Sequence, residues 1–347
     1  MKFTILMLGA AAIAMLSFEL RTASAVELLE GDIVVADFGA DLIIKVDPNT
    51  GNRQTISGGA VGSGPFLSQV RGLHIDPTGH ILVTDADLRA IIEIDPATGA
   101  RSVISSATHG TGPQFSAPFA IDLDASGTIY VTDLSQDALF RVDRTTGNRA
   151  LVSNASLGTG PTLGNPTGID IIDNGRAYVG DQVLDSLLSL DLASGDRIDL
   201  SSASVGSGPS ISSPFSVISV SDSEVLISDA SLSVIRINPL TGQRTTVSGA
   251  GVGSGPEFVD LRNIARGEDG TIYAVDEDLD AVLRIDPNTG SRSIVSSNAI
   301  GSGPSFFVPE SIAVVGTLVP EPSSCCALLL LSFAYLMVRR ATMKQLV

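Results

Sequence analysis

Residues 72–105 read Gly72-Leu73-His74-Ile75-Asp76-Pro77-Thr78-Gly79-His80-Ile81-Leu82-Val83-Thr84-Asp85, then, after four residues, Ala90-Ile91-Ile92-Glu93-Ile94-Asp95-Pro96-Ala97-Thr98-Gly99-Ala100-Arg101-Ser102-Val103-Ile104-Ser105. Four apolar, β-branched runs of about five residues are cut by Asp-Pro-Thr-Gly, by the segment after Asp85 and by Asp-Pro-Ala-Thr-Gly. Short runs of this kind between Pro, Gly and Asp turns are strand and hairpin signals. No segment of useful length keeps a helical period.

The same unit recurs along the chain. Ahead of it stands Gly-Ser/Thr-Gly-Pro, whose proline returns at Pro65, Pro113, Pro161, Pro209, Pro256 and Pro304, spaced 48, 48, 48, 47 and 48 residues apart. Asp37, Asp85, Asp133, Asp181, Asp229 and Asp276 keep step, as do Arg53, Arg101, Arg149, Arg197, Arg244 and Arg292. A strict period of this length with four strands per unit predicts an all-β, six-bladed β-propeller of four-stranded blades. The chain ends support the count. Gly31-Asp32-Ile33-Val34-Val35-Ala36-Asp37 matches the second strand of a unit, and the missing first strand stands at Glu310-Ser311-Ile312-Ala313-Val314. The ring is therefore expected to close with three N-terminal strands and one C-terminal strand in a shared blade, over residues 26–316. The pattern Pro-x-Gly-Ile-x-Ile…Gly-x-Ile-Tyr-Val-x-Asp…Arg-Val-Asp, clearest over 118–143, resembles NHL-type and gluconolactonase-like propeller repeats along residues 31–316.

Outside the repeats lie two address segments. Lys2, an apolar run to Phe18 and Ala23-Ser24-Ala25 read as a signal peptide over residues 1–25. A linker over 317–324 holds Pro320-Glu321-Pro322, residues 325–338 are an apolar transmembrane segment, and 339–347 form a basic tail that positive charge places in the cytoplasm. Pro-Glu-Pro, apolar helix and arginine cluster resemble the PEP-CTERM sorting signal. That resemblance implies an exosortase-type processing enzyme as partner, a membrane stage through the C-terminal helix, and delivery to the cell surface or extracellular matrix. Extracellular polysaccharide or a surface protein are the partners expected there.

Composition narrows the function. The formal charge is −17; taking off the +1 of residues 1–25 and the +3 of 339–347 leaves −21 for the rest, with Lys45 as its one lysine. Such a surface repels phosphate and excludes nucleic-acid binding. Both cysteines, Cys325 and Cys326, lie in the apolar segment, which excludes disulfides and thiolate metal sites from the ring.

A residue type present in every blade is explained by what every blade must do. The repeated aspartates at the second-strand ends are expected to accept amide bonds from the following loop, a calcium ring being the alternative. Asp47, Asp95, Asp143, Asp191, Asn238 and Asp286 are expected to pair across their hairpins with the repeated arginines, and those arginines to discourage edge-to-edge association. Gly-Ser/Thr-Gly-Pro is the turn into the next blade, with glycine supplying positive φ.

The innermost strands are where the blades differ. Aligned by repeat, they give one column Arg71, Phe119, Thr167, Phe215, Arg262, Glu310, and a second holding Asn263. The third column is His74, Asp122, Asp170, Ile218, Ala265, Ala313. Arg71, Arg262 and Glu310 are placed at one mouth of the channel. His74, Asp122 and Asp170, with Asn263, form a candidate polar-ligand site or, for the first three, a metal site. No motif requires a cofactor; the one suggested is a divalent cation, Ca²⁺, Zn²⁺ or Mn²⁺. Catalytic signatures are few. There is no Gly-x-Ser-x-Gly elbow, no His-Glu-x-x-His, and no Glu-Gly-Pro-x-Trp of the kind gluconolactonase-like enzymes carry. The reading is an exported, non-enzymatic binding or matrix module. The alternatives are a metal-dependent lactone hydrolase working in the channel and, behind it, a lyase.

Overall fold

A computed structural model describes residues 26–172 and 175–318, so the expected signal peptide, most of the linker, the apolar segment and the basic tail lie outside the described residues. Among the described residues no helix is long and apolar enough to cross a membrane.

Among the described residues twenty-four strands, numbered along the chain, form six four-stranded antiparallel sheets. The unit that contains residues 72–105 is β4 (Val70–Ile75), β5 (Ile81–Asp85), β6 (Ala90–Ile94) and β7 (Arg101–Ser105), in that order from channel to rim. The seam blade is β24 (Pro309–Val314) beside β1 (Ile33–Asp37), β2 (Leu42–Val46) and β3 (Arg53–Ser57). There Ile33 faces Val314 and Val35 faces Ile312, as the expected closure requires.

Middle strands are mostly apolar because both of their faces are covered. In β1, Val34 and Ala36 pack with Leu73, Val83 and Ile92 of the next blade. Ile33 and Val35, on the other face, pack with Tyr273, Val275 and Phe306. Six such apolar clusters occur, one at each blade interface. Alternation in these strands therefore assigns residues to two buried interfaces rather than to inside and outside.

The repeated arginines correct an expectation. They are only 4–8 % exposed, and none pairs with its hairpin aspartate; Asp95 instead accepts from the Ala97 amide at 2.8 Å and the Thr98 hydroxyl at 2.7 Å. Arg101 Nε donates to the Pro65 carbonyl at 2.6 Å, and its Nη1 to Ser57 Oγ at 2.8 Å and the Val61 carbonyl at 2.9 Å. Its partners are the outer strand of the preceding blade and the connection leaving it. The planar fork satisfies several carbonyls at once, which explains why Arg and not Lys repeats. An arginine buried this way does not guard an exposed edge. The seam repeats the latch, with Arg53 on Ser296 Oγ at 2.7 Å and on the Pro304 carbonyl at 2.6 Å.

Gly-Ser/Thr-Gly-Pro does carry the chain onto the next blade. The Ser63 carbonyl accepts from the Arg101 amide at 2.7 Å. Gly62 has φ +78°, and a Cβ there would stand 1.7 Å from the Gly99 carbonyl oxygen. Both positive φ and close approach exclude a side chain.

Candidate functional site

The innermost strands β4, β8 (Pro118–Leu123), β12 (Pro166–Ile172), β16 (Pro214–Ser221), β20 (Leu261–Arg266) and β24 ring the channel. Each lacks a strand partner on its channel side, so part of its backbone must be satisfied by side chains. In β4 the register slips between Val70 and Leu73. The unpaired Gly72 amide donates to Thr84 Oγ1 at 2.8 Å, and that hydroxyl bonds the Phe119 carbonyl of the next inner strand. Thr132 and Ser228 do the same work in their blades. A bulge of this kind re-aims the side chains beside it, here Arg71.

One mouth of the channel holds Arg71, Glu310 and Arg262, on three consecutive blades. Arg71 Nη1 lies 3.2 Å from Glu310 Oε1 and its guanidinium stacks 4.2 Å above the Phe38 ring. Arg262 pairs with Glu277 Oε2 at 2.5 Å and Asp260 Oδ2 at 2.9 Å, over the Phe215 ring at 4.9 Å. Glu310 is buried, and burial raises its pKa although Arg71 and Arg262 pull it down. Phe38, Asp260 and Glu277 were not among the sequence candidates. For two of them a signal was available: in the column after the repeated aspartate (Phe38, Ala86, Leu134, Gln182, Ala230, Glu277), Phe38 is the one aromatic and Glu277 the one charged residue. Thr167, aligned with Arg71, does not join the mouth. It is fully buried and donates to the Pro214 carbonyl at 2.5 Å. Gly180 stands in that blade where Thr84 stands in its own, so Thr167 supplies the missing hydroxyl.

Nearer the other end, His74, Asp122 and Asp170 stand at equivalent positions of three adjacent inner strands, opposite Leu82, Tyr130 and Tyr178. His74 Nδ1 is 2.9 Å from Asp122 Oδ1. Asp122 Oδ2 accepts from the Ile171 amide of β12 at 2.6 Å, and Asp170 Oδ2 accepts from the Ser219 amide of β16. Each carboxylate thus reaches one blade onward and satisfies an edge amide. Burial, and next the charge of Asp122, push the Asp170 carboxyl up to about 6. The residue is half-buried because it opens to the channel rather than to bulk solvent. Asn263 accepts from Ser216 Oγ at 3.4 Å one level away. These residues border a cavity of about 330 Å³ with Ile218, Ala265 and Ala313 on its far wall.

The metal reading of His74, Asp122 and Asp170 does not survive this geometry. Among the described residues no three His, Cys, Asp or Glu side chains are grouped to hold an ion. The reason lies in how the oxygens are engaged: two hold amides and one faces the imidazole, which leaves too few donors to replace a hydration shell. The calcium-ring alternative meets the same obstacle. Asp85 accepts from the Ser68 amide at 2.8 Å and the Leu88 amide at 2.9 Å. It therefore pins the preceding connection as well as the following loop, where only the latter was expected.

No protein-family model matches the chain, and no curated protein matches it. Solved structures do. A chain of a nidogen/laminin complex aligns with 83 % of this chain and 99 % of its own, at 15 % identity and a TM-score of 0.64. A streptogramin B lyase aligns over 85 % and 88 %, at 14 % identity and a TM-score of 0.55. A Bacteroides thetaiotaomicron protein of unknown function aligns over 85 % and 79 %, at 16 % identity and a TM-score of 0.56. At these identities the likeness is one of fold, shared by proteins of different activity.

Proposed function

We propose that this chain is an exported, surface-directed β-propeller that acts as a non-enzymatic binding module and takes its ligand in the central channel. One observation carries the reading. Blades that agree elsewhere in their Asp, Arg and Gly positions differ where they face the channel, and His74, Asp122 and Asp170 there border a cavity large enough for a small molecule. Packing alone would be satisfied by apolar residues, as it is at Ile218, Ala265 and Ala313. The nidogen/laminin neighbour is an instance of this ring in a protein–protein assembly, in line with a module that recognises a surface protein or an extracellular polysaccharide. Export rests on residues 1–25, and sorting by an exosortase-type enzyme rests on Pro320-Glu321-Pro322 with the segment after it.

Two measurements test the proposal. Fractionation of cells expressing the full chain with an internal tag should find it at the surface or in the medium, shortened at the C-terminus; an intact cytoplasmic chain contradicts it. A thermal-shift screen against small molecules and surface polysaccharide should give a ligand whose effect disappears in Ala120→Phe, which fills the channel. A shift that persists in that variant places the ligand elsewhere.

A further inference from the structure

Resting on the channel-binding reading, we infer that the pocket beside Asp170 takes a small organic ammonium, a protonated amine on a compact apolar body. Of the four carboxylate oxygens of Asp122 and Asp170, two accept amides and one faces His74 Nδ1. Asp170 Oδ1 has no hydrogen-bond partner among the described residues, and Asp170 borders the cavity. A metal ion needs several such donors, whereas an ammonium needs one charged acceptor and a place for its carbon atoms. The place exists: Ile218, Ala265 and Ala313, on the three blades opposite, give the cavity an apolar wall. About 330 Å³ lies at the small end of ligand sites and limits the body to a short chain or single ring.

The electrostatics favour a cation. Arg266 also borders the cavity, but its Nη2 lies 3.3 Å from the point where a Cβ on Gly270 would stand, so the guanidinium folds back over that turn. The titratable groups that face Asp170 are Asp122 from β8, His74 from β4 and the Tyr178 phenol of the adjoining strand; β16 contributes only the Ser219 amide. Burial raises Tyr178 above its ordinary 10.0, so it stays neutral. Burial and Asp122 hold Asp170 at about 6, which makes the site a proton-competed one. Acidification neutralises the acceptor and releases the ligand.

Calorimetry on the full chain with cyclohexylammonium chloride, and with cyclohexanol as the neutral isostere, tests this. At pH 7.5 the ammonium should bind and cyclohexanol should bind at least tenfold more weakly. Asp170→Asn, which keeps an oxygen for the Ser219 amide, should weaken the ammonium tenfold or more. At pH 5.0 the unmodified protein should bind about tenfold more weakly, as expected one unit below a pKa near 6; this arm needs no variant to fold. Equal binding of cyclohexanol, or affinity unchanged in Asp170→Asn with native circular dichroism, overturns the ammonium assignment and leaves the channel site standing. Ammonium heat that survives in Ala120→Phe overturns both, and no heat with the unmodified protein at millimolar ammonium overturns the assignment.

Discussion

Arg101 shows how a repeated residue acts across an interface. Burial pushes its guanidinium below the ordinary value, and carbonyl oxygens with Ser57 Oγ offset the cost. Arg101→Ala should cost about 2–4 kcal/mol in urea unfolding, because buried carbonyls lose their donors. Lysine should recover little, since one ammonium cannot span the fork. Asp170 behaves oppositely. Its carboxyl is raised from an ordinary 3.8 to about 6. The unfolded chain therefore releases the proton near pH 4 while the folded chain retains it, and the stability it contributes is present at low pH and lost as pH rises through 6. Asp170→Asn should then stabilise the ring by about 1–2 kcal/mol at pH 7.5 and by nothing at pH 4, measured by urea unfolding at both pH values. A residue kept at a cost in stability fits a ligand site. Arg101 was visible in the sequence as part of a column, but its partner was misassigned. Asp95 is near along the chain, whereas Ser57 is 44 residues away and adjacent only in space.

The connection between blades is the element on which stacking depends. Gly62 and Gly99 bring two turns together with no room for a Cβ, whereas Gly127 also has positive φ (+82°) but meets nothing within 4 Å. Gly62→Ala should therefore destabilise by more than about 3 kcal/mol, through strain and collision together, and Gly127→Ala by only about 1 kcal/mol. Parallel thermal melts separate the two; equal losses would mean that φ alone matters. The strands themselves were legible, since short β-branched runs between Pro, Gly and Asp have few other outcomes. The bulge at Arg71–Gly72 was not: a hydroxyl at Thr84 bridges it to the neighbouring blade, yet the same slip recurs in β20 where Val275 holds that place. Substitution of that hydroxyl by Thr167 in the blade with Gly180 was equally hidden.

Closure is a property of the whole ring and is made twice, by β24 on β1 and by the sixth Gly-Ser-Gly-Pro on Arg53. Deleting residues 310–316 removes the first clasp and uncovers the β1 edge at Ile33 and Val35, which face Val314 and Ile312. The melting temperature should fall by more than about 10 °C; a truncated chain that melts like the parent would show the ring to be held by the second clasp alone. The count of six units, the shared blade and the columns facing the channel all follow from the sequence by itself. A period of 47 or 48 residues, with three strands of a unit at one end and the fourth at the other, admits one closed arrangement. Only the tertiary structure decided what each repeated or singular side chain touches. Arg101 meets Ser57, Thr84 meets Phe119, and His74, Asp122 and Asp170 each reach one blade onward. Spacing along a chain reports which residues share a level in the ring. The energy of buried polar groups depends on which donors and acceptors the packing of separate blades brings within about 3 Å.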